Sequence, residues 1–327
     1  MKPKGWVSHP DDVERLVAQW QQEYPDLLAV EQVRQFTGRP VFALILGDAS
    51  SGGDRTEVIL EKSHAHEPAP CAAMMNLIAK LLSGRGLDGE PPPLDRDAVL
   101  QSLTLTFLPD VNPGGTERAP VKWWDGTQYT NEEFWMWMRG LNRETGRMWE
   151  RYDKWDLREV DPRPATIGIV YEQVSEYEYV EPNRHHDSSL FRLLFRLMET
   201  HSYSLLMSLH QTEFVGQMED AMVLLPILFD EQPEWIQKKE MEIGHKMIEW
   251  WDRVGGRPMK KIAPLGYSGM QADYFRRAWG NLYSQMPCVT SEVRNNSLLC
   301  PPSQQRTLSE AAAWAGIEMA LRWHEQT

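Results

Sequence analysis

Residues 60–70, LEKSHAHEPAP, set two imidazoles and a carboxylate directly behind a short apolar run. His64, His66 and Glu67 can all bind metal, and they stand where a strand leaving a core ordinarily turns through Gly, Asn or Asp. His64 and Glu67 are three apart at the carboxyl end of that run, the end at which open α/β sheets hold ligands. A catalytic zinc takes three protein ligands and leaves a fourth position to water. Alone, the His-x-x-Glu pair fits either part of such a site or a solvated turn. LLMSLHQTEF places His210 behind another apolar run, as a further ligand or a hydrogen-bonded core histidine. PCVTSEVRNN places Glu292 in a β-patterned segment flanked by Val289 and Val293, with Arg294 on the same face at period two. That acid is either buried or a surface carboxylate on an edge strand.

The scaffold for these residues is bounded by bulk properties. At 327 residues and 42% hydrophobic, the chain can bury a substantial core, as one large or two small domains. Its 34 basic and 47 acidic side chains leave a net charge of −13, a field that repels phosphate backbones and argues against a nucleic-acid partner. Cys71, Cys288 and Cys300 make no disulfide framework and no Cys-x-x-Cys pair, and Cys71 reads as inert packing in a helix. The first residues, MKPKGWVSHPDDVERL, lack a signal-peptide apolar region, and no stretch approaches a membrane span. A cytoplasmic protein with no membrane association is expected.

Apolar spacing at Val13, Leu16, Val17 and Trp20 predicts a helix over 10–24. Strands are expected at 27–36, 40–48 and 56–62, the last two as buried central strands. APCAAMMNLIAKLLSG predicts a helix opened near Pro70 and closed by Gly84, and LTLTFLPDVNPGG predicts another buried strand ending in a Pro/Gly turn. After residue 180 the alternation resumes with a helix at 188–201, a strand at 204–210, an amphipathic surface helix at 233–256, a strand at 286–294 and a terminal helix at 308–326. This order predicts an α/β fold with a mixed, largely parallel central sheet flanked by helices. Residues from about 116 to 180 break the rhythm and hold Trp123, Trp124, Trp135, Trp137, Trp149 and Trp155, six of the fourteen tryptophans. They are expected to form an insertion within a single catalytic domain spanning 1–327, as a small satellite core, a lid over the site or a dimer interface.

Taken in order, His64-x-x-Glu67, His210 and Glu292-Val293-Arg294 resemble the zinc carboxypeptidase family, the carboxypeptidase A-like metallopeptidases. DVNPGG at 110–115 looks like that family's Asn-Pro-Asp-Gly turn, with Gly114 in place of the acid, and the opening helix and following strands are similar as well. The resemblance spans about 8 to 320, apart from the tryptophan-rich middle. It implies one zinc per chain held by His64, Glu67 and His210, with Glu292 as general base toward the metal's water. Arg294 pairs with a carboxylate or supports its strand, and His66 lies beside the ligands or contacts substrate.

The family clamps a terminal carboxylate with an Asn-Arg pair, whose guanidinium fork matches two oxygens. Asn183-Arg184, just before a helix, is the better match, and Asn142-Arg143 is the other. Tyr267, in a Gly-flanked loop, resembles the family's mobile tyrosine, although its offset from Asp273 departs from the digestive enzymes. Arg118, Lys122 and Arg139 are candidates for a basic oxyanion helper. The implied activity is zinc-dependent hydrolysis of an amide bond beside a free carboxylate, on a short peptide or an N-acyl amino acid. SLHQT also looks a little like the Asp-Leu-His-Asn-Thr of aspartoacylase and succinylglutamate desuccinylase, which gives an N-acyl amino acid deacylase as the alternative. A non-catalytic binding protein on the same fold is the further rival, and a homo-oligomer is compatible with all three.

Overall fold

The computed structural model describes residues 3–47 and 54–326. Helix α1 (Pro10–Glu23) precedes β1 (Leu28–Arg34), β2 (Pro40–Leu46) and β3 (Thr56–Glu61). Asp48, at the end of the second expected strand, lies outside the described residues. Helices α2 (Pro68–Ser83) and α3 (Arg96–Ser102) lead to β4 (Leu103–Leu108), and α4 (Pro113–Glu117) opens the middle region. There follow α5 (Asn131–Arg139), β5 (Gly140–Asn142), β6 (Trp155–Asp156), β7 (Pro164–Ile167), β8 (Glu172–Gln173) and β9 (Glu178–Val180). Helix α6 (Ser189–Met198), β10 (Tyr203–Thr212), β11 (Ala221–Leu225) and α7 (Glu234–Arg253) come next. The chain closes with β12 (Ala263–Pro264), α8 (Met270–Tyr283), β13 (Cys288–Arg294) and α9 (Pro302–His324).

One eight-stranded sheet organises the molecule, in the order β1-β2-β4-β3-β10-β13-β11-β12. Its centre, β4-β3-β10-β13, is parallel throughout, while β1, β2 and β11 join antiparallel. The expected mixed, largely parallel sheet is therefore present. Successive side chains on a strand face opposite layers, and the central strands follow this rule. Val58, Leu60, Leu205, Met207, Leu209, Val289 and Val293 enter the core under α2, α7 and α9. Ile59, Leu206 and Cys288 enter the opposite core under α6 and α8. On that second face each strand turns polar toward its carboxyl end. In register, Leu206 lies beside Ile59 and Cys288, Ser208 beside Glu61 and Thr290, and His210 beside Glu292. Three parallel strands thus deliver polar side chains to one edge while their other face stays dry.

The helices meet this sheet as their sequences dictate. α2 is buried on nearly every side, and Gly84 closes it in the left-handed conformation at φ 77°. Its start is Pro68, two residues before the expected opening at Pro70, and proline at the first position has no N–H to leave unpaired. α9 begins at Pro302, not 308, for the same reason. Its Ala- and Gly-rich face lies directly on the sheet; a Cβ on Gly316 would sit 3.0 Å from Met207 Sδ. Apolar periodicity does not announce β11 or α8, a short strand and a strongly mixed helix. Among the described residues no helix is long and apolar enough to cross a membrane.

The tryptophan-rich middle folds around two small cores. Trp149, Trp155, Val170, Tyr171 and Tyr179 form one, with the small sheet β6-β9-β8. Trp124, Phe134 and Ile169 form the other together with Ala65, the residue between His64 and His66. β8 also supplies Glu172, whose carboxyl accepts from Ser189 N (2.9 Å) and Ser189 Oγ (2.5 Å) at the start of α6. Burial raises this carboxyl from 4.5 to about 7, against the pull of those two donors. A raised acid binds its proton more tightly in the folded chain than in the unfolded one, so its contribution weakens as pH rises from about 4.5 to 7. At about 1.4 kcal/mol per pKa unit this is on the order of 3 kcal/mol. Glu172→Gln is therefore expected to flatten the pH dependence of stability between pH 5 and 8, read from denaturant midpoints. An unchanged slope would remove Glu172 as its source.

Candidate metal centre

β3 ends at Glu61, and the chain turns through Lys62 to Glu67 before α2 begins. The buried Lys62 ammonium pairs with Asp110 Oδ1 at 2.8 Å, tying this turn to the one after β4. Glu67 N bonds back to His64 O, and Asn295 Nδ2 donates to His66 O at 3.0 Å. Gln211 Oε1, one residue past His210, accepts from Ala69 N at 2.9 Å. Each turn is therefore held by the neighbouring strands. Glu67 is the backbone N-cap of α2, but its side chain caps nothing and stays free to face the sheet edge.

There His64 Nδ1 lies 2.9 Å from Glu67 Oε1, and His210 Nδ1 lies 2.9 Å from Glu67 Oε2. Glu67 Oε2 has no further partner beside that contact. That is the geometry of donor atoms facing a shared point. The rings of His64 and His210 meet at 60° with centroids 4.8 Å apart. His66 also comes near, since one ligand atom each from His64, His66 and Glu67 lies within 4.8 Å of the others. Its ring, however, stacks on His64 at 18° with its edge toward Phe134. In-plane lone pairs of nearly parallel rings do not converge, so His64 and His210 suit one ion better than His64 and His66.

Charge supports the same point. Burial works to raise Glu67, but His210 and His64 hold it well below the usual carboxylate range. Burial works to lower His64 and His210, but Glu67 raises both, His64 to about 9 with help from Glu181. The cluster thus collects positive charge around one buried carboxylate, which a divalent cation would supply directly. Burial drives His66 down to about 3, leaving it neutral.

Glu292 is half-buried beside His210 in register, with Oε2 enclosed and unpartnered. Burial, with Glu67 and Glu213 nearby, raises it to about 8 against the pull of His210. Arg294 turns the other way and donates to the carbonyls of Glu213, Phe214, Gln217 and Glu219, supporting its strand.

The remaining candidates separate by position. Asn183, Arg184 and Tyr267 line the same cleft as His64, His210 and Glu292. Arg184 Nη1 has no partner, and its guanidinium stands over the rings of Tyr152, Tyr267 and Phe275 at 4.9, 5.4 and 5.3 Å. Tyr267 is 40% exposed in the loop before α8. Asn142, by contrast, is spent on a turn, accepting from Glu144 N and Thr145 N, and Arg143 is exposed. Arg118 is committed to the carbonyls of Gly114, Ile167, Gly168 and Tyr171, and Lys122 faces Asp12 at the surface. Arg139 alone of the three basic candidates reaches the site, pairing with Glu181 Oε2 at 2.6 Å.

Glu181 itself is absent from the sequence reading. It is buried, lies 3.5 Å from His64 Nε2 and 3.1 Å from Arg184 Nε, and thereby joins both arginines to the metal cluster. Burial opposes its charge, but Arg139 and Arg184 hold it far below the usual range. The available signal was an acid two residues before Asn183 in VEPNR. Beneath Arg184 the cleft is walled by Leu206, Leu265, Phe275, Trp279, Cys288 and Thr290.

A family model described as zinc carboxypeptidase, Peptidase_M14, matches residues 13–190, more than half of the chain. No curated protein matches the sequence. Among solved structures, a metallo-carboxypeptidase from Burkholderia cenocepacia aligns with a TM-score of 0.58 at 14% identity, covering 97% of this chain and 69% of that one. Thrombin activatable fibrinolysis inhibitor gives 0.60 at 11% identity, over 100% and 78%. Carboxypeptidase A from Helicoverpa armigera gives 0.58 at 15%, over 97% and 74%. Likeness at these identities speaks to the fold. The matched span carries His64, Glu67, Asn183 and Arg184 and stops before His210 and Glu292, which the parallel sheet brings to the same edge. By that match the chain belongs to the zinc carboxypeptidase family, and it is a metal-dependent peptide hydrolase.

Proposed function

We propose that the protein releases the C-terminal residue of a short peptide, with zinc held by His64, Glu67 and His210 and Glu292 as general base. The observation that carries this reading is the pair of Nδ1 atoms, one from His64 and one from His210, each 2.9 Å from a different oxygen of Glu67. Two imidazoles and one carboxylate with a position left open suit zinc. When bound, zinc lowers the pKa of its water to about 7 and polarises the scissile carbonyl. Glu292 takes the proton of the attacking water and delivers it to the leaving nitrogen as the C–N bond breaks. Its raised pKa in the metal-free chain falls once a dication neutralises Glu67 beside it.

Arg184, with an unpartnered Nη1 at the cleft, binds the substrate's terminal carboxylate, and Asn183 and Tyr267 stand beside it. Arg139 is the basic group nearest the acyl side. Residues 116–180 act as an inserted wall of a single catalytic domain, giving Arg139 and Tyr152 to the cleft. Leu206, Leu265, Phe275 and Trp279 wall the side-chain pocket near Arg184, so a C-terminal apolar residue is the favoured leaving group. Burying a charged side chain there costs more than a missing methylene does.

About one zinc per chain is expected in protein purified without chelator, and His210→Ala should lose it while keeping its circular dichroism. Wild type that takes up none at micromolar zinc would falsify the ligand set. Glu292→Gln should keep the metal and lose about 10²–10⁴ in kcat. Arg184→Ala should lose roughly tenfold to a hundredfold in kcat/KM, mostly through KM, as one charge-assisted hydrogen bond goes. A panel of peptides and N-acyl amino acids tests the substrate. Release of Leu or Phe should exceed release of Lys by about a hundredfold. A preference for Lys or Arg would redirect attention to Glu240, whose carboxyl binds Cys288 N behind the pocket. Turnover only of N-acyl amino acids would favour the deacylase reading.

A further inference from the structure

Ser208 and Glu61 lie side by side in register on β10 and β3, on the face that leads to the metal cluster. The Ser208 hydroxyl donates to Glu61 Oε1 and lies 2.8 Å from His210 Nε2. Ser63 Oγ donates to Glu61 Oε2 at 2.8 Å. Glu61 is 1% exposed and Ser208 8%, so water does not compete for these bonds. A hydroxyl has one proton, and a carboxylate has none to give. With the Ser208 proton committed to Glu61, only a lone pair remains toward His210 Nε2, which must then be the donor. A neutral imidazole protonated on Nε2, the form that binds a metal, keeps its lone pair on Nδ1, the atom 2.9 Å from Glu67 Oε2.

His64 has a similar arrangement. Its Nε2 faces the carboxylate of Glu181 directly, at 3.5 Å, while its Nδ1 faces Glu67. Both histidines thus have their outer nitrogen turned to an acid, one directly and one through a serine. Such outer contacts fix which imidazole nitrogen can bind a metal.

We propose that Glu61, acting through the Ser208 hydroxyl, is a positioning pair that holds His210 in its Nε2–H tautomer with Nδ1 free for zinc. The zinc part of this proposal rests on the reading of the cluster given above; the tautomer does not. The experiment compares wild type, Ser208→Ala and Ser208→Thr, each labelled with ¹⁵N-histidine. Long-range ¹H–¹⁵N spectra of the metal-free proteins, recorded at a pH above the loss of the second imidazole proton, report the His210 tautomer, and competition with a chromophoric chelator reports the zinc Kd. Wild type should show Nε2–H at His210. Ser208→Ala should lose that single tautomer and bind zinc about 10–100-fold more weakly, while still unfolding in one cooperative transition. Ser208→Thr, which restores the hydroxyl, should return both readouts toward wild type. The proposal is overturned if folded Ser208→Ala keeps the wild-type tautomer, or if Ser208→Thr fails alongside it, since packing and not the hydroxyl would then be responsible. If wild type binds no zinc, the metal reading falls, while the tautomer comparison still decides the relay.

Discussion

The parallel register of β3, β10 and β13 is the constraint on which the rest of the molecule depends. Parallel strands point their carboxyl ends the same way, so the turn after β3, the end of β10 and the end of β13 share one edge. The alternation of side chains then decides what faces the cleft. One row carries Ile59, Leu206 and Cys288, the next Glu61, Ser208 and Thr290, and the last His210 and Glu292. A slip of one residue in β10 would send His210 into the dry face that holds Leu205, Met207 and Leu209. The apolar packing of α2 and α9 against that face therefore sets the site's geometry as firmly as any polar contact within it.

Buried charge at this edge persists because it is balanced within a few ångströms. Glu67 is flanked by two imidazoles, Glu181 by two guanidiniums, and Lys62 by Asp110. An isolated ion at such depth would cost far more than the fold could absorb. The arginines also have aromatic faces: Tyr152 lies under both Arg139 and Arg184. The tryptophan-rich region is thus more than padding, because its own cores, built on Trp149 and Trp124, fix the backbone that presents Arg139, Tyr152 and Glu181.

Much of this was legible in the sequence, and the reasons are physical. Strands buried on both faces read as continuous apolar runs, so β2, β3, β4, β10 and β13 stood out, and polar residues at the ends of the parallel ones marked the edge. His64, Glu67, His210, Glu292 and Arg184 all occupy the one cleft. The middle region was opaque because its strands are two to four residues long and its cores are made of tryptophan and tyrosine, which show neither helical nor strand periodicity. Glu181 was opaque for a different reason. Its partners Arg139, Arg184 and His64 are distant in sequence or hidden among ordinary surface types, and only folding makes a network of them. Ser208 was opaque because the carboxylate that serves it belongs to the neighbouring strand.

His64 and His210 are 146 positions apart in the chain, 210 minus 64, and they meet only once β3 and β10 lie side by side. Closing so long a loop is entropically uphill until the strands on either side reward it, and pairings of this kind form late in folding. No shorter piece of the chain holds both imidazoles. A nascent or partly folded chain therefore has no complete chelating cage and competes poorly for scarce cations, whereas the finished sheet presents every donor at once. With the proposed ligand set, metal acquisition would report on completed folding, and the cation would bridge the two halves of the chain as a reversible cross-link.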